Sequence, residues 1–172
     1  SLQVTNNAGW LPLHFAFERG MLAPLDVVQY LVQKYPDLHI HQACSNMAAL
    51  DIVRYLVQEY PESLKVTDSN RSLPLHYACA SGASLDVVRY LVNNYPESLQ
   101  VTQEYTFPPS IHALVSQAPL EVVRYLVQEY PESLRVTVGD QYFILQRFRR
   151  SHWGYWDRQE IIERFGFHGT LK

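Results

Sequence analysis

The residues of this chain best suited to metal binding or nucleophilic chemistry are its histidines and its two cysteines, and their spacing argues against both. His41 and His76 lie 35 residues apart, and so do Cys44 and Cys79. Side chains that return once per period occupy one repeated structural place, whereas a metal site needs its ligands to converge on a single point. His14, His41 and His76 are therefore read as buried or capping side chains, with His112 as a looser member of the same row. Equivalent positions on stacked helices are about 8–10 Å apart, beyond the reach of a disulfide, so Cys44 and Cys79 are read as small, reduced, buried residues. There is no phosphate-cradling glycine loop, no paired-cysteine motif and no serine or cysteine nucleophile signature. Acidic pairs such as Glu59 and Glu62 recur at helix ends and read as solvated surface. No catalytic residue, metal ligand or cofactor-binding residue is expected.

The period itself is the dominant fact. LDVVRYLVNNYPESLQVT, Leu85 to Thr102, recurs as LDIVRYLVQEYPESLKVT from Leu50, as LEVVRYLVQEYPESLRVT from Leu120 and, more loosely, as LDVVQYLVQKYPDL from Leu25. The anchor tyrosines Tyr30, Tyr55, Tyr90 and Tyr125 are spaced by 25, 35 and 35 residues, so one interval is ten residues short. Within the stretch, Leu85, Val88, Leu91, Val92 and Tyr95 form one apolar helical stripe. Val87 and Tyr90 widen that stripe, as a helix packed on two sides requires. Asp86 suits the first turn of the helix dipole, and Arg89 and Asn93 fill the polar side. Pro96 ends the helix by pushing Tyr95 out of the helical region. The segment after it, ESLQVT, is expected to be an extended run leading to a turn.

Between copies lies a second, shorter helix. Pro12 and Pro74 stand where a helix tolerates a residue without an N–H, LHFAF and LHYACA follow, and Gly20 and Gly82 stop the helix. Ser1 to Thr5 reads SLQVT, identical to Ser98 to Thr102, so the chain is read as opening in the middle of a unit, with room for a further helix once ahead of it. The organisation is thus four units, approximately 1–36, 37–66, 67–101 and 102–137, followed by a degenerate C-terminal cap at 138–172.

LPLHYACASGASLDVVRYLV resembles the ankyrin repeat, whose pattern is Thr-Pro-Leu-His, two small residues, Gly and a Val-Val-containing second helix. Pro12-Leu13-His14 and Pro74-Leu75-His76 are the most specific pieces. The resemblance implies an all-α solenoid of stacked helix-loop-helix units with projecting β-turn fingers. It also implies a concave face of fingers and short helices that grips a protein partner. In this chain that face would comprise Asn7, Trp10, Glu18 and Arg19 from the first unit and Ser45 and Asn46 from the second. Ser69, Asn70, Ser72, Ala80 and Ser81 would come from the third, and Glu104, Tyr105 and Phe107 from the fourth. Three departures bear on stacking. Leu11 and Leu73 replace the capping threonine, and the second unit lacks its finger. In the fourth unit, Ser110 replaces the leucine without a gap, whereas Ile111-His112 fit only with a one-residue slip. Units one and two are expected to stack less well than three and four, and Asp37–His39 is expected to open first.

A formal charge of −3 disfavours nucleic acid as the main partner. No apolar run approaches the ~20 residues that span a bilayer, and no secretory start is seen. The cap interleaves Arg147, Arg149, Arg150, His152, Trp153, Tyr155, Trp156 and Arg158, which could stack bases. Asp140, Asp157, Glu160 and Glu163 offset much of that charge, so the plainer reading is a polar terminal unit facing water. The function expected is a non-enzymatic, monomeric, intracellular protein-interaction module, cytoplasmic or nuclear. The alternatives are a regulatory or substrate-recruiting region of a larger enzyme, and nucleic-acid contact by residues 147–158.

Overall fold

In the computed structural model of the chain, residues 23–34, 40–101 and 108–135 are described. They form seven α-helices: α1 Leu25–Lys34, α2 Ile40–Ser45, α3 Leu50–Glu59, α4 Pro74–Ser81, α5 Leu85–Asn94, α6 Pro109–Val115 and α7 Leu120–Glu129. The ten-residue helices form one row, α1 against α3, α3 against α5 and α5 against α7, and the shorter helices form a second, α2 against α4 and α4 against α6. Each short helix also packs on the long helix that follows it. No strand occurs among the described residues. The all-α repeat architecture expected from the sequence is the one found.

The long helices bury the stripe their sequence writes. Val87, Val88, Leu91 and Val92 of α5 are buried, as are Ile52, Val53, Leu56 and Val57 of α3 and Val122, Val123, Leu126 and Val127 of α7. Full burial of such a side chain is worth roughly 1.5–3 kcal/mol. Burial therefore runs as one apolar layer from Val28 to Val127 rather than around a single centre. Each of these helices ends one residue before the tyrosine that precedes a proline, and Tyr95 at the end of α5 has φ −150° and ψ 77°.

The segment after the proline departs from the sequence expectation. Pro61–Lys65, Pro96–Gln100 and Pro131–Arg135 are 3-10 helical turns, not extended runs. The cause is local, because proline presets the φ that a first helical position needs. The serine two residues later then closes the turn twice. The Ser98 N–H donates to the Tyr95 carbonyl at 3.1 Å, and its hydroxyl donates to the same oxygen at 2.5 Å. Ser63 on Tyr60 and Ser133 on Tyr130 repeat the arrangement. A serine reads on composition as loop, and only its geometry identifies it as the lock of the turn.

The short helices begin and end as their punctuation implies, with one addition. Pro74 opens α4, and Gly82 closes it at φ +79°. Met47 and Gln117 take that same place after α2 and α6, at φ 58° and 60°. In all three, the alanine one residue on donates its N–H five residues back, Ala48 to Ala43, Ala83 to Ala78 and Ala118 to Ala113, at 2.9–3.0 Å. This is a Schellman closure, which requires a left-handed residue whatever the side chain.

Candidate protein-binding face

The short helices and the connection before α4 carry the described members of the expected face. No side chain caps the start of α4 in the usual sense, since Leu73 has no acceptor. Instead the Leu73 N–H donates to Nδ1 of buried His76 at 3.1 Å, so the histidine reaches back to cap the helix that contains it. His41, one unit earlier, has another partner. Its Nε2–H donates to the Ser72 carbonyl at 3.1 Å, tying the second unit to the connection of the third.

The fourth unit settles the register that the sequence left open. Pro109 opens α6 as Pro74 opens α4, and Ser110, Ile111 and Ala113 are all buried, so no gap is present. Ser110 takes the place of Leu75, Ile111 that of His76 and His112 that of Tyr77. His112 thus does not join the histidine row, contrary to the expectation. The physical reason is Pro108, which stands where Leu73 does and has no N–H for a histidine to cap. Aromatic contacts confirm the register. His41 meets Tyr77 edge-on with centroids 5.8 Å apart, and His76 meets His112 edge-on at 5.4 Å. Burial holds the His112 imidazole below its ordinary pKa.

The connection before α4 is organised by Asp68. Its Oδ1 accepts the N–H groups of Asn70 and Ser72 at 2.9 and 2.8 Å. Its Oδ2 accepts the Tyr77 hydroxyl at 2.6 Å and the Asn70 side-chain amide at 3.2 Å. The Arg71 N–H donates to the Asp68 carbonyl at 2.9 Å, completing a β-turn, with Arg71 at φ 60°. Partial burial works to raise the carboxyl's pKa. The Tyr77 hydroxyl, the Ser72 and Asn70 N–H groups and nearby His41 outweigh it, and the net shift is downward. The sequence reading singled out Asn70 and Ser72 but missed Asp68 and Tyr77, which place them; an acid ahead of a turn is the signal that could have found the first.

Of the expected contact residues, Ser69, Asn70 and Ala80 are exposed, and Ser45, Asn46, Ser72 and Ser81 are half-buried. The Ser81 hydroxyl donates to the Cys44 carbonyl at 2.7 Å, and the Asn46 amide to the Gln42 carbonyl at 3.2 Å. Ser72 and Ser81 thus help hold one unit to the next, while Ser69, Asn70 and Ala80 present themselves to solvent. Asn7, Trp10, Glu18, Arg19, Glu104, Tyr105 and Phe107 lie outside the described residues, as do Asp37–His39 and the C-terminal segment at 138–172.

The described residues of this face contribute hydrogen bonds and packing. Cys44 and Cys79 are free and buried. Burial pushes the Cys44 thiol up to about 12 and raises Cys79 as well, with Cys44 beside it adding to the shift. Neither is a thiolate at neutral pH, the form that attacks or binds a metal. Among the described residues, no group of three or more His, Cys, Asp or Glu side chains is placed to hold a metal ion, and no helix is long and apolar enough to cross a membrane.

The family description "Ankyrin repeats (3 copies)" matches residues 40–137, more than half of the chain. The chain belongs to the ankyrin repeat family. Ankyrin repeats are in general protein–protein interaction modules. The matched stretch takes in the helix pairs α2–α3, α4–α5 and α6–α7. Among curated proteins, none matches the chain.

The ankyrin frame also holds an interaction on the polar side of its long helices. The Arg54 guanidinium lies over the Tyr90 ring at 5.7 Å and that of Arg89 over the Tyr125 ring at 5.3 Å. The polar sides of α3 and α5 are thus each joined to the next long helix by a cation–π contact, worth about 0.5–1 kcal/mol at an exposed site. At the first junction the residue corresponding to the arginine is Gln29 and the one corresponding to the ring is Tyr55.

Proposed function

We propose that this ankyrin array is a non-enzymatic, intracellular, monomeric module that binds a protein partner through the face formed by its short helices and their preceding connections. The observation that carries the reading is a contrast. Helices α3, α5 and α7 repeat almost letter for letter and bury the same positions, whereas Ser69, Asn70 and Ala80 differ from their counterparts and are exposed on rigidly anchored backbone. Exposed variation on a constant frame is what recognition of one partner requires. Two buried free thiols in equivalent places support a reducing compartment. On this reading Trp10, Arg19, Tyr105 and Phe107 would be the main anchors, being of the types that dominate interface energies.

Affinity capture with the wild-type chain and two sets of variants tests the reading. Trp10→Ala, Arg19→Ala and Ala80→Glu should each remove the same captured partner. Gln58→Ala and Gln128→Ala, on the opposite side of the long helices, should leave it bound. Capture indifferent to all the face variants would overturn the assignment.

A further inference from the structure

The three described short helices carry no fixed charge. From Ile40 to Leu50, from Leu73 to Leu85 and from Pro108 to Leu120 there is no Asp, Glu, Lys or Arg, in a chain that is 18 % charged. The long helices that follow them each hold an acid and an arginine, Asp51 and Arg54, Asp86 and Arg89, Glu121 and Arg124. Two histidines of the row are held neutral as well. His76 accepts the Leu73 N–H on Nδ1, which only the uncharged ring can do, and burial holds His112 below its ordinary pKa. Asp68, the carboxylate of the connection before α4, is spent on four hydrogen bonds close to it in the chain. What the row leaves accessible is small or amide-bearing. Ser45 and Ala80 share one repeat position, Asn46, Ser81 and Ser116 the next, and each is exposed or half-buried.

We propose that the short-helix row binds an uncharged peptide segment, rich in hydroxyl, amide and small side chains, and rejects segments that would lay ionised groups across it. This rests on the binding face proposed above and names the chemistry of its partner. Charge complementarity argues for that occupant. An ionised side chain placed on the row loses hydration with no countercharge to meet, whereas a neutral hydroxyl or amide exchanges water for the polar groups of Asn46, Ser81 or Ser116. Discrimination then comes from the countercharge that the row withholds. Arg71, exposed in the connection before α4, does not belong to the short helices.

A random peptide library displayed on phage and panned on the immobilised full chain tests this. Peptides recovered by the wild type should be depleted in Asp, Glu, Lys and Arg against the unselected library. The affinities of synthetic copies, read by fluorescence anisotropy, should be nearly the same at low and high salt, because no charge pair is there to be screened. Ala80→Glu and Ala80→Lys should each weaken those peptides several-fold, since either sign buries an unpaired charge, and Arg71→Gln should leave them bound. Ala80 is exposed, so both variants should keep the fold, and their urea midpoints check it. Charged peptides that tighten on one Ala80 variant and weaken on the other would overturn the neutral partner while leaving the face in place. So would affinities that fall steeply with salt. A library in which no peptide responds to either Ala80 variant would overturn the face itself, and this inference with it.

Discussion

Asp68 and His112 hold the same region by opposite electrostatic means, and pH separates them. Asp68 is an ionised acceptor of four hydrogen bonds, its pKa held below the ordinary 3.8. A carboxylate of this kind contributes stability that is present above the unfolded-state pKa and is lost as pH falls through the lower folded-state value. Asp68→Asn keeps one acceptor but meets the Tyr77 hydroxyl with a donor or a single carbonyl. It should cost on the order of 1 kcal/mol at pH 7, allowing for solvent screening at a half-exposed site, and the cost should begin to shrink as pH falls below about 4. Denaturant titrations of both proteins at pH 7 and pH 3 measure this difference.

His112 is depressed below the ordinary 6.5 because burial disfavours its cation. Its folded form is therefore fully stable above that value and loses stability as pH falls from about 6.5 toward the folded-state pKa. His112→Tyr restores the residue type found at the equivalent place in α4 and removes the titration. Between pH 7.5 and pH 5.5 the wild type should lose more stability than this variant, as read from urea midpoints.

At the level of elements, backbone geometry is fixed by the repeat even where the residue is not. The left-handed residues Met47 and Gln117 occupy the place of Gly82, and left-handed Arg71 occupies the place of Gly9 in the first unit. A Cβ added at Gly82 meets nothing within 4 Å, so the penalty of a side chain there is conformational rather than steric packing. Left-handed backbone costs a non-glycine residue about 1–2 kcal/mol, partly offset by the freer unfolded chain of glycine. Met47→Gly and Gln117→Gly should each stabilise the array by up to about 1 kcal/mol, whereas Gly82→Ala should destabilise it by a similar amount. Thermal unfolding of the three variants decides the sign. Comparing units made the glycine at the end of the short helix legible. It could not reveal that the closure persists without glycine, because the alanine hydrogen bonds that enforce it are set by the burial of Ala48, Ala83 and Ala118.

Across the whole molecule, stability accumulates from unit to unit, and the arginine–tyrosine contacts are one of its regular terms. Gln29 interrupts them. Gln29→Arg should place a guanidinium over Tyr55 and raise stability by about 0.5–1 kcal/mol, and Arg89→Gln should lower it by a comparable amount. Loss of the Gln29→Arg gain on a Tyr55→Leu background would tie it to the ring rather than to charge alone.

The sequence by itself determined the helices, their boundaries at Pro74, Gly82 and Tyr95, the apolar layer and the family, because periodicity and punctuation are local properties that every copy states again. Tertiary structure decided what depends on a neighbour. The 3-10 turns rest on serine hydroxyls finding a carbonyl, and the gapless register of α6 rests on Pro108 lacking an N–H. The capping role of His76, the anchoring of the third connection by Asp68 and Tyr77, and the arginines laid over rings are likewise contacts between residues. A repeat written along a line specifies each unit, but which polar groups meet is fixed only when the units are set side by side.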